Sequence, residues 1–71
     1  MLTNISYLTP IAGLTVAEAV RLIFAPETSQ RLLNQVAVTL YAEKRGDLGM
    51  IFELPEVLAH LEERLENDEA N

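Results

Sequence analysis

The chain has 71 residues, 49% of them hydrophobic and 23% charged. That suits one small globular domain, near the size at which a hydrophobic core alone suffices, and argues against disorder. It has no cysteine, which excludes disulfides and thiolate metal sites and leads us to expect a reducing, cytoplasmic setting. The net charge is −6, unevenly placed. Residues 1–52 balance four acids against four bases, whereas residues 53–71 set seven acids against Arg64 alone. A neutral body with an acidic tail need not repel nucleic acid.

Residues 1–17 carry no charged side chain, but they lack a basic start, and Thr3, Asn4, Ser6, Thr9 and Thr15 interrupt their apolar run. No signal peptide is expected, and no stretch approaches the roughly 20 apolar residues of a membrane span. Residues 1–13, broken by Pro10, read as an extended arm or short strand. A single globular domain is expected over 14–66, and a frayed acidic tail over 67–71.

The first helix starts at Thr15, whose side chain can cap backbone N–H groups, with Glu18 three residues on to complete a capping box. Leu14 and Ala19 sit where a hydrophobic staple would. Val16, Ala19, Val20 and Ile23 form its apolar stripe, and Pro26 stops it near Phe24. A second helix is expected to start at Pro26, with Glu27 favouring its positive end. Two readings of the stretch beyond it stay open. At a period of 3.6, Leu33, Val36, Ala37, Leu40 and Tyr41 share a face, and the helix could reach Arg45. At a period of 2, Val36, Val38 and Leu40 alternate with Ala37, Thr39 and Tyr41 as a strand. Gly46, Asp47 and Gly49 then mark a turn before the β-prone Met50–Leu54, which favours a hairpin. The closing helix starts at Pro55. Leu54, Val57, Leu58, Leu61 and Leu65 form its stripe, with Glu56, Glu62 and Glu63 mostly opposite. The expected fold is therefore α+β: two short helices, a β-hairpin and a closing helix. An all-α three-helix bundle is the alternative.

Little in the chain suggests catalysis. His60 is the one histidine, and only Ser6 and Ser29 could join it in a nucleophilic arrangement; neither lies in a nucleophile motif. No catalytic residues, metal ligands, cofactor or small-molecule substrate are expected. Asn4-Ile5-Ser6 matches a glycosylation acceptor but is set aside because no secretion signal is expected, and Arg45-Gly46-Asp47, an adhesion tripeptide, is best explained by chance.

The run Leu14-Thr15-Val16-Ala17-Glu18-Ala19-Val20-Arg21-Leu22-Ile23, with the closing Leu54-Pro55-Glu56-Val57-Leu58-Ala59-His60-Leu61, resembles the small winged helix-turn-helix domains of MerR-type regulators and phage excisionases. The resemblance covers roughly 50 residues by this alignment of elements. It implies a bacterial or phage regulatory protein that contacts DNA. Thr28, Ser29, Gln30, Arg31, Asn34 and Gln35 would lie at the major groove, and a wing over Val36–Leu54 would place Lys44 and Arg45 on phosphates. Three cations make a weak phosphate footprint, so a homodimer or an added partner is expected. The rival reading is an acidic protein-binding regulator, such as an antitoxin, a phage-coded inhibitor or a nucleic-acid mimic. It would present Glu56, His60, Glu62, Glu63 and Glu66 to a basic protein surface.

Overall fold

A computed structural model describes residues 9–70, with side chains through residue 66. In chain order it contains α1 (Val16–Phe24), α2 (Gln30–Ala42), a 3-10 helix (Asp47–Glu53) and α3 (Pro55–Ala70). Among the described residues there is no strand. The α+β expectation with its β-hairpin is overturned, and the three-helix alternative fits. There is no wing: residues 36–54 are the second part of α2, a turn and the 3-10 helix. Most of the arm expected over residues 1–13 lies outside the described residues.

α1 forms as its sequence dictates. The Thr15 hydroxyl accepts from the Glu18 N–H (3.1 Å), and the Glu18 carboxylate accepts from the Thr15 N–H (3.5 Å). Ala19 and Ile23 are fully buried, with Val16 and Val20 packed beside them. Ala25, held extended before Pro26, ends the helix.

α2 begins four residues later than Pro26. Pro26 and Glu27 form a turn, and the Ser29 hydroxyl accepts from the Leu32 N–H (3.2 Å) as the cap. Leu33, Val36 and Leu40 then recur at helical spacing, none more than 1% exposed. Their burial against α1, α3 and the 3-10 helix overrides the strand preference of the β-branched Val36, Val38 and Thr39. Thr39 also satisfies itself inside the helix. Its hydroxyl donates to the Gln35 carbonyl (2.6 Å) and accepts from the Ile11 N–H (2.7 Å), tying the segment before α1 to the core.

The 3-10 helix buries Leu48 and Ile51, three residues apart, as its three-residue turn requires. A Cβ at Gly49 would overlap the Lys44 carbonyl, so only glycine lets this helix pass so close to the turn after α2. α3 starts at Pro55 and buries Val57 and Leu61, with Leu58 and Leu65 half-buried beside them. Each α-helix touches the other two, and the 3-10 helix touches all three, around one shared core. No helix among the described residues is long and apolar enough to cross a membrane.

Candidate interaction groove between α1 and α3

The last carbonyls of an α-helix have no partner within it. At the end of α1 a single side chain from α3 supplies one. Arg64 Nη1 donates to the carbonyls of Ala25 (2.7 Å) and Ile23 (2.9 Å), with Leu22 at 3.5 Å. Its Nη2 donates to those of Thr28 (3.0 Å) and Pro26 (3.3 Å). The guanidinium sits at the negative end of the α1 dipole, where a cation is favoured. Return contact comes from α2: Gln30 Nε2 donates to the Arg64 backbone carbonyl (3.0 Å), while Gln30 Oε1 is buried without a donor. The α1–α2 connection is thereby pinned to α3.

This clamp fixes Phe24, whose backbone lies among the carbonyls that Arg64 holds. The Phe24 ring stacks on His60 of α3, centroids 4.4 Å apart and planes 17° from parallel. It nevertheless remains 46% exposed, with Tyr41 (66%) and Met50 (56%) more exposed still. Phe24, Pro26, His60, Glu63 and Arg64 line an open cleft of about 440 Å³. Glu56, His60 and Glu63 follow 4- and 3-residue spacings, so they share one face of α3. Glu56, Glu62, Glu63 and Glu66 are all exposed, and His60 is half-buried against Phe24. Of the residues expected to dock a partner, His60 and Glu63 thus meet in the cleft. Glu56 lies on the same helix face, and Glu62 and Glu66 extend the acidic surface.

The residues expected at a DNA groove do not form a comparable set. Thr28 is buried, and its carbonyl is taken by Arg64. Ser29 is spent on the α2 cap, and Gln30 on the Arg64 carbonyl. Asn34 and Gln35 are half-buried, and Arg31 is exposed. Lys44 and Arg45 are exposed at the other end of α2, not on a wing tip. Since α2 rises about 1.5 Å per residue, that end stands roughly 18 Å from Gln30. There Lys44 Nζ lies 5.5 Å above the Phe52 ring, which meets Tyr41 edge-on at 5.3 Å.

Two features of the cleft escaped the sequence reading. By charge alone, Arg64 is a lone cation in an acidic segment. Its position three residues after Leu61 and seven after Val57 puts it on the buried stripe, which is the signal that it faces inward. In the sequence Phe24 marks only a helix end, and no local pattern pairs it with a residue 36 positions later.

A second, smaller pocket of about 220 Å³ is lined by Ile11, Gly13, Leu14, Glu43, Asp47 and Leu48. Among the described residues, no three acidic or histidine side chains gather as metal ligands would. No protein-family model matches this chain, and no curated protein or solved structure shows significant similarity to it.

Proposed function

We propose that this protein is a non-catalytic regulator that binds a protein partner with a basic surface, using the α1–α3 cleft and the acidic face of α3. The observation that carries the reading is Phe24: a large ring, 46% exposed, held against His60 beside Glu63. An exposed aromatic anchor with a charged rim is the usual anatomy of a protein-docking site. The anchor is also preorganised, because Arg64 fixes the backbone on both sides of it, and this lowers the ordering cost of binding. The surrounding carboxylates Glu56, Glu62, Glu63 and Glu66 would steer a basic partner and set its orientation.

The test uses two baits side by side, the native protein and a Glu62→Lys plus Glu63→Lys variant. Both residues are exposed, so the fold should survive reversal, as circular dichroism would show. A partner captured by the native protein and lost by the variant supports the reading. A partner held equally by both removes the acidic face from the interface.

DNA contact is the second reading, supported by the exposed pair Lys44 and Arg45. Saturable binding of a mixed-sequence duplex that disappears in Lys44→Ala plus Arg45→Ala would move the function there. No duplex binding by about 100 μM, the weak end of non-specific affinities, would discard it.

A further inference from the structure

We propose that the α1–α3 cleft receives an arginine side chain of the partner, its guanidinium stacked on Phe24 and paired with Glu63. This inference rests on the protein-binding reading above and specifies the chemistry of the group bound.

His60 covers part of the Phe24 ring, yet 46% of the residue stays open. The face of an aromatic ring attracts a cation, and a planar guanidinium stacks on it more closely than a hydrated ammonium does. Glu63 lies on the same cleft wall as His60 and is exposed. A carboxylate there can accept two parallel N–H bonds from a guanidinium fork, a geometry that lysine cannot supply. Glu56, one turn before His60, adds a second negative charge on that face.

The objection to a cationic guest is the resident cation, Arg64, which also lines the cleft. Its guanidinium points at the carbonyls of Leu22, Ile23, Ala25, Pro26 and Thr28. Their dipoles, at the negative end of α1, offset its charge. Besides Arg64, the charged residue lining the cleft is the exposed Glu63, and Glu56 lies on the same face of α3. An uncharged apolar guest would fill the cleft while leaving Glu63 partly desolvated and unpaired, which disfavours it. At the far end of α2 one ring of this fold already meets a cation, Lys44 over Phe52.

Two blocked peptides test this, acetyl-Ala-Leu-Arg-Leu-Ala-amide and its lysine counterpart, titrated into isotope-labelled protein and followed by amide NMR. The arginine peptide should shift the signals of Phe24, His60 and Glu63, and bind about three- to fivefold more tightly than the lysine peptide. Phe24→Leu should reduce that preference to the part that bidentate pairing with Glu63 supplies, and keep the weaker attraction common to both peptides. Glu63→Gln, a change at an exposed site, should weaken both. Equal affinities in the native protein, shifts that miss Phe24 and His60, or no shift by about 1 mM would overturn the proposal. If the peptides fail while Glu62→Lys plus Glu63→Lys still loses its captured partner, the partner docks on α3 without an arginine in the cleft. If capture also ignores the reversal, the protein-binding reading falls with it.

Discussion

At its amino end, α2 is joined to its neighbours by directional polar bonds. Ser29 caps it, Gln30 reaches the Arg64 carbonyl, and Arg64 holds the chain that leads into it. At its carboxyl end the chain instead turns tightly through Glu43–Gly46 into the 3-10 helix, where Gly49 passes against the Lys44 carbonyl. Tyr41, Phe52 and Lys44 cover that end by ring contact. One end is thus held by directional hydrogen bonds, the other by close backbone approach. The polar end carries the proposed docking cleft, because a ring that must stay exposed cannot be fixed by its own burial. Phe24 is fixed by the backbone on either side of it, and Arg64 fixes that backbone.

The sharpest way to break this contrast is Arg64→Met, which keeps the apolar stem and deletes the guanidinium. Several carbonyls at the end of α1 would then be left without donors. A cost of about 3 kcal/mol is expected, which in a domain this size lowers the melting temperature by about 15 °C. Arg64→Lys should recover only part of the loss, because an ammonium cannot span carbonyls from Ile23 to Thr28 as a fork does. Thermal melts followed by circular dichroism decide it. A Met variant within a few degrees of native would show that the clamp is incidental.

The corresponding change at the other end is Gly49→Ala. The added methyl would overlap the Lys44 backbone carbonyl, which cannot swing aside as a flexible side chain could. Overpacking of this kind costs about 2 kcal/mol, exceeding the smaller gain from restricting the unfolded chain. Gly46→Ala serves as the control, since a Cβ there meets nothing closer than 3.6 Å. Chemical denaturation should separate the two glycines, and equal midpoints would contradict the close-approach account.

How much of this was legible in the sequence follows the same division. α1 was readable because its capping box is local, with Thr15 and Glu18 three residues apart. α3 was readable because Pro55 and the spacing of Val57, Leu58 and Leu61 lie within two turns. Between Val36 and Leu54 the structure overturns the favoured hairpin and fits the helical alternative for the first part of the stretch. Its two periodicities were nearly balanced, and the one that won depended on burial against α1 and α3. Gly46 closes a turn as expected, but Asp47 and Gly49 belong to the 3-10 helix into which the chain winds instead of doubling back as a hairpin. In the cleft, His60 and Glu63 could be named as docking candidates from their helix face. Their aromatic partner and the clamp arise from pairings 36 to 42 residues apart, beyond any local pattern.

Between the two ends lies Thr39, fully buried, the contact that ties Ile11 to α2. Thr39→Val preserves shape but leaves the Ile11 N–H without its acceptor, at a cost of about 1.5 kcal/mol. Hydrogen exchange at Ile11 should quicken while exchange in the α1–α2 connection stays unchanged. If both regions loosen together, Thr39 belongs to the Arg64 network and the two ends are not independent.

The smallest expected effect comes from the best-read feature, the α1 cap. Thr15→Ala removes the oxygen that accepts from the Glu18 N–H, and should cost about 1 kcal/mol. The cap lies at the start of α1 and the Arg64 clamp at its finish, so the two contact no common group. Their effects should therefore add in a double variant to within about 0.5 kcal/mol. A double variant much less stable than that sum would mean that α1 frays as one unit from either end. In that case the position of Phe24, and with it the cleft, would depend on the far cap as much as on the guanidinium beside it.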